Sequence, residues 1–271
     1  MARFPMKMAC TFLALLGLLT AGAAPATAAP PPRSPEPVGN DVSWPQCGKT
    51  LPTGQAFAIV GVTGGLANNT NPCLAEQLAW AAGSTGGTAQ PKVALYVNTA
   101  NPGHAGTWWP TSNSYAGQQV TNPYGSCGGA VDAACSYMYG YAKAYDDATI
   151  RGVSNPGSYF WWLDVETGNS WQANTALNRA DLEGMVAYFK SITSGVSGAG
   201  VGIYSTGYQW GTIAGTVPSS SSLTGLPSWL AGAKTLRGAM SNCSLPGLTT
   251  GSRVSVTQYV SAGLDYDYSC P

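Results

Sequence analysis

Short β-prone runs alternate with helix-periodic ones along most of this chain, which restricts it to a parallel sheet whose strands are joined by crossover helices. Strands are expected at 40–44, 56–63, 92–99, 158–166, 201–205, 228–233 and 253–260, and helices at 72–82, 137–150 and 179–192. In the first helix Leu74, Leu78 and Ala81 share one face. Asn178 is a plausible N-cap for the third, with Asp181 and Glu183 in its first turns. The fold class is therefore α/β, and a closed (β/α) barrel, flattened and short of some helices, satisfies the sheet edges. The stretch 101–135 has no periodicity, follows a predicted strand and so belongs on the C-terminal face, where barrels carry their binding loops.

The N-terminal layout and the cysteines carry the expectation of an exported protein. Arg3 and Lys7 precede an apolar run over 9–19, and small residues ending in Ala26-Thr27-Ala28 follow, the three-part layout of a cleaved export signal. Residues 1–28 are read as that signal, 29–38 as a proline-rich leader and 39–271 as one globular domain. The apolar run is too short to span a bilayer and no longer one follows. Cys10 leaves with the signal, so six cysteines remain in an oxidising compartment. Fifteen pairings are open to them, and sequence neighbours suggest Cys47 with Cys73, Cys127 with Cys135, and Cys243 with Cys270. No C-x-x-C or H-x-x-x-H spacing supports zinc.

Without Arg3 and Lys7 the 12 basic residues become 10 against 12 acidic, a net charge of −2, which offers no basic surface to a nucleic-acid backbone. With acids so scarce, their positions are informative. In Phe160-Trp161-Trp162-Leu163-Asp164-Val165-Glu166, strand alternation sends Asp164 and Glu166 to one side while Leu163 and Val165 face the helices. Two carboxylates at the mouth of a barrel can hold different protonation states, and glycosidic cleavage requires one acid and one carboxylate. Asp41 opens the first strand, and Asp265 and Asp267 follow the last, so barrel closure could bring Asp41 and Asp265 together. An exposed turn is the expectation for at least one of Asp265 and Asp267.

Trp80, Trp161 and Trp229 read as core, whereas Trp44, Trp108, Trp109 and Trp171 fall at strand ends or in loops where they could stack on sugar rings. His104, the only histidine, has no predicted partner, and no Gly-x-Ser-x-Gly elbow supports a serine triad.

Taken together, seven segments in order resemble the glycoside hydrolase family 25 lysozymes, the Chalaropsis-type muramidases. They are Asp41-Val42-Ser43 with Gln46, Ala58-Ile59-Val60-Gly61-Val62, Leu163-Asp164-Val165-Glu166, Val201-Gly202-Ile203-Tyr204-Ser205, Pro227-Ser228-Trp229-Leu230-Ala231, Thr257-Gln258-Tyr259 and Leu264-Asp265. The resemblance implies a flattened β/α barrel that cleaves the β-1,4 bond between N-acetylmuramic acid and N-acetylglucosamine, with neither metal nor organic cofactor. It implies Glu166 as general acid, Asp164 as stabiliser of the charged intermediate, and Asp41 and Asp265 as the rest of the acidic cluster. It also marks Tyr96, Asn98, Tyr204, Trp229 and Gln258 as substrate-binding positions beside the candidate tryptophans Trp44, Trp108 and Trp109. The chain departs from the family pattern at Tyr96-Val97-Asn98, where Tyr-His-Phe is usual, at Thr257, where tryptophan is frequent, and in its long loop and cysteines. A non-catalytic glycan or cell-envelope binding domain on the same barrel is the alternative reading. The expected partner is a peptidoglycan-like glycan, and a monomer is the default.

Overall fold

A computed structural model of the chain describes residues 37–271. The expected signal and the leader up to 36 lie outside the described residues. The leader's expected last two residues belong to the barrel: the Pro37 carbonyl accepts from the Ser269 amide at 2.8 Å, and Val38 opens the first strand.

In chain order the strands are β1 (Val38–Val42), β2 (Ala58–Gly61), β3 (Val93–Asn98), β4 (Ser114–Tyr115), β5 (Gln118–Gln119), β6 (Phe160–Asp164), β7 (Gly200–Ser205), β8 (Ser228–Ala233), β9 (Val254–Ser261) and β10 (Leu264–Ser269). The helices are α1 (Leu74–Ala82), α2 (Ala133–Thr149), α3 (Thr175–Thr193), α4 (Gly207–Ile213) and α5 (Leu236–Asn242). Eight strands close a barrel in the order β1-β10-β9-β8-β7-β6-β3-β2, while β4 and β5 form a separate hairpin inside the long loop. Every barrel pairing is parallel except those of β10, which runs antiparallel to both β1 and β9.

The strand β10 is absent from the sequence reading, which ended the sheet at 260. Ala262 and Gly263 both have positive φ, 51° and 75°, the backbone of a two-residue hairpin turn. The chain therefore doubles back at the point where a terminal turn was expected. As a result the first and last predicted strands are not neighbours, and β10 lies between them.

Strand alternation divides the apolar side chains into two sets. Trp161, Leu163 and Val165 point outward into a core shared with Leu182, Met185 and Phe189 of α3, and the Trp161 ring stacks on Phe189 at 4.4 Å. Trp162 points into the barrel with Phe57, Ile59, Ala94, Trp229 and Val256. Gly202 on β7 makes room for it, because a Cβ there would overlap the Trp162 ring.

The long helices start earlier than periodicity suggested. Asp132 caps α2 by accepting from the Cys135 amide at 2.8 Å, and Asn174, not Asn178, caps α3 by accepting from the Ala176 amide at 3.0 Å. Asn178 is instead buried one turn in, where its amide donates to the carbonyls of Gln172 and Ile213, each at 2.9 Å. Glu183 consequently falls beyond the first turn, where Tyr124 and Ser221 donate to it. The three disulfides join the pairs expected from sequence neighbours. Among the described residues no helix is long and apolar enough to cross a membrane.

Candidate active site

Although β6 ends at Asp164, the Val165 amide still donates to the Tyr204 carbonyl at 3.0 Å, so the ladder and its alternation run one residue further. That continuation keeps Glu166 on the same side as Asp164, above the barrel interior. From the other edge of the closure, Asp41 of β1 pairs in register with Asp265 of β10. These four carboxylates line one pocket of about 170 Å³, and Tyr96, Tyr204, Trp229 and Gln258 complete its wall.

The side chains are held from below. The Asn98 amide donates to Asp164 Oδ2 at 2.5 Å, and the Thr63 hydroxyl donates to Asn98 Oδ1 at 2.9 Å, so the asparagine presents its N–H₂ end to the acid. The other oxygen, Asp164 Oδ1, is buried without a hydrogen-bond partner. Gln258 bridges across the barrel, accepting from the Tyr204 hydroxyl at 2.9 Å and donating to Asp41 Oδ2 at 2.8 Å. Glu166 is partly exposed, with Gln209 Nε2 of α4 at 3.4 Å from Oε1. The amide of Thr167 fixes that glutamine, donating to its Oε1 at 2.7 Å.

One acid more than expected sits in this cluster. Asp267 is wholly buried on β10 beneath Asp41 and Asp265, contrary to the exposed turn anticipated for that stretch. It has no hydrogen bond of standard geometry, although the Trp229 side chain lies close enough to favour its ionised form. The signal that could have placed it is the polar/aromatic alternation Leu264-Asp265-Tyr266-Asp267-Tyr268, which is strand-like on inspection.

No cation offsets these charges: among the described residues the ion pairs are Lys143 with Asp146 and Arg151 with Asp147, both on the α2 side. Burial, then the neighbouring Asp265, pushes Asp41 up from 3.8 to about 7. Burial, then Glu166, holds Asp164 well above the usual carboxylate range, and the same two causes raise Asp265. Asp267 is raised by burial and then by Asp41. A cluster of this kind retains protons that isolated carboxylates would have lost.

The shifts have a consequence for stability. Between 3.8 and about 7 the folded protein holds a proton on Asp41 that the unfolded chain releases, so this contribution is full below pH 3.8 and is lost as pH rises. Asp147, also pushed up to about 7 by burial, and the buried, unpartnered Asp181 of α3 act in the same direction. Thermal melts should therefore show a higher midpoint near pH 5 than near pH 8. Asp181→Asn, which removes one titrating group outside the pocket, should flatten the slope; a melting temperature that rises with pH over this window would contradict the assignment.

Not every expected contact residue reaches the pocket. Tyr96, Tyr204, Trp229 and Gln258 line it, and Asn98 supports it through Asp164. Trp44 is half exposed elsewhere, its indole against Gly65. Trp108 and Trp109 stack on Tyr139 of α2, with ring centroids 5.9 and 5.3 Å away, and neither lines the acidic pocket; Trp108 belongs to a different depression. His104 is exposed beside Trp109, with Nε2 2.7 Å from the Gly129 carbonyl oxygen. Trp171 donates to the Glu166 carbonyl at 2.8 Å and so braces the loop that carries the acid. Gln209 and Thr63 had no marker in the sequence, since both act through tertiary contacts.

No protein-family model and no curated protein sequence matches the chain. Among solved structures, a bacterial lysozyme from Streptomyces coelicolor is 18% identical and superposes with a TM-score of 0.52 over 87% of this chain and 93% of that one. A muramidase from Acremonium alcalophilum is also 18% identical, with a TM-score of 0.51 over 86% of this chain and 92% of that one. At this identity the likeness is one of fold, and the expected β/α barrel is the fold this chain shares with that lysozyme and that muramidase.

Proposed function

We propose that the protein is an exported glycoside hydrolase that cuts β-1,4 bonds of peptidoglycan, or of a related amino-sugar polymer, by carboxylate acid/base catalysis. The observation that carries this reading is the convergence of Asp41, Asp164, Glu166 and Asp265 in one pocket at the mouth of a barrel shared with a muramidase and a lysozyme.

Each carboxylate takes a role from its surroundings. Glu166, partly exposed and held loosely by Gln209, is the general acid that protonates the leaving glycosidic oxygen. Asp164, fixed by Asn98 on one oxygen and unpartnered on the other, lines the floor of the pocket beneath the sugar. There it accepts the acetamido N–H of the substrate or balances the positive charge that develops at the anomeric carbon. Asp41 and Asp265 keep the cluster negative enough to hold its protons, and Tyr204 and Gln258 fix the orientation of Asp41. The signal-like N-terminus and three disulfides support work outside the cytoplasm.

The test is incubation of the purified protein with insoluble peptidoglycan, following turbidity and new reducing ends together. Clearing with new reducing ends is the expected result. Saturable binding with neither would replace the hydrolase by a glycan-binding domain on the same barrel.

A further inference from the structure

The acidic pocket leaves part of the C-terminal face unused. A second depression of about 220 Å³ lies on the loops that follow the same strands, walled by Asn68 after β2, Ala100 after β3, Ser170 after β6, Trp108 of the long loop, and Tyr139 and Lys143 of α2. Ser170 is four residues beyond Glu166, and Trp171 next to it donates to the Glu166 carbonyl, so the two depressions share the loop that carries the acid.

Its chemistry differs from that of the acidic pocket. Trp108 is 38% exposed and stacks on Tyr139 with an interplanar angle of 28°, giving an aromatic plate. Lys143 Nζ lies 5.3 Å from the centre of the Trp108 ring and 5.5 Å from that of Tyr139. The Lys143 side chain is 12% exposed and pairs at 3.4 Å with Asp146, which also accepts from the Tyr115 hydroxyl at 2.7 Å. The buried Asp147 and Asp181 lie within its field, but Asp147 is paired with Arg151 and burial raises Asp181 well above the usual carboxylate range, so the ammonium keeps donors to spare. A plate for a sugar ring, amide and hydroxyl groups, and one ammonium are thus gathered in one place. The four-acid pocket has no cation in its lining to receive a carboxylate, whereas this depression presents an ammonium.

We propose that the depression is a second glycan subsite that takes the carboxylate-bearing part of an amino sugar, its lactyl ether or the peptide attached to it, while the scissile bond lies at Glu166. The inference rests on the glycan reading above and adds to it the group that selects the substrate. A glycosidic bond joins two sugar rings, and the acidic pocket, at about 170 Å³, is smaller than the roughly 300 Å³ at which pockets begin to enclose a small-molecule ligand, so part of any substrate must extend beyond it. The subsite is built by the long loop, in which this chain departs from the family it resembles.

The experiment is calorimetric titration of the non-cleaving Glu166→Gln protein with two probes, a soluble peptidoglycan tetrasaccharide bearing its peptides and the neutral chitotetraose. Adding Lys143→Gln should weaken the carboxylate-bearing probe by roughly tenfold and leave chitotetraose unchanged, and Lys143→Arg should restore most of the loss. Adding Trp108→Ala should weaken both probes. Equal affinity for the charged probe with and without the Lys143 ammonium, in a protein that binds it, overturns the subsite while leaving the glycan reading intact. A Glu166→Gln protein that binds neither probe removes the glycan reading, and the subsite with it.

Discussion

Replacing Glu166 by glutamine should lower kcat on peptidoglycan by about a hundred- to ten-thousand-fold, the range expected when a general acid is removed, and leave the melting temperature where it was. The two halves of that result follow from different features. The rate falls because an amide cannot protonate the departing oxygen, and Asp41 and Asp164 are buried and held by Gln258 and Asn98 rather than open at the mouth of the pocket. The fold survives because Glu166 is partly exposed and its side-chain partner is Gln209 at 3.4 Å, a contact that glutamine can also make. Activity within a few-fold of native in a properly folded variant would remove Glu166 from its role.

The second large effect is on stability and lies far from the chemistry. Helices α2 and α3 cross so closely that glycines are required at the contact: a Cβ on Gly184 would overlap the Tyr137 carbonyl oxygen, and one on Gly140 would overlap that of Asp181. These are backbone atoms, which cannot swing aside as a side chain can, so the helices must separate. Gly184→Ala should therefore destabilise the domain by about 3 kcal/mol, at the upper end for overpacking, and lower the melting temperature by roughly 6–12 °C for a domain of this size. Gly140→Ala should do much the same, and the double variant should be less than additive because one separation relieves both overlaps. A Gly184→Ala protein that melts within a degree of native would mean that the crossing is looser than described.

How far the sequence could be read depended on how local each determinant is. The barrel was legible because its strands are apolar runs separated by long periodic helices, and Phe160 to Glu166 could be assigned its inward and outward faces by alternation alone. The meeting of Asp41 with Asp265 followed from closure, although the reading missed the strand that achieves it. That strand, β10, alternates acids with tyrosines, and such a pattern resembles a solvated turn until the barrel buries it. Helices α4 and α5 are only seven residues each and contain glycine, so propensity does not announce them; the side chains of Thr206 and Thr235 cap them instead. Trp108 and Trp109 were recognisable as loop aromatics, but their position on α2 rather than over the acids depends on the path of a loop with no periodicity. Asn98 was singled out as a departure from the family pattern, and only the structure relates it to Asp164.

The measurement that tests the central claim most directly is mass spectrometry of the fragments released from peptidoglycan after borohydride reduction, because the reduced end names the bond that was cut. The account predicts fragments ending in reduced N-acetylmuramic acid from the native protein and none from Glu166→Gln. Equal release by both proteins, or no release from any cell wall tested, would contradict it.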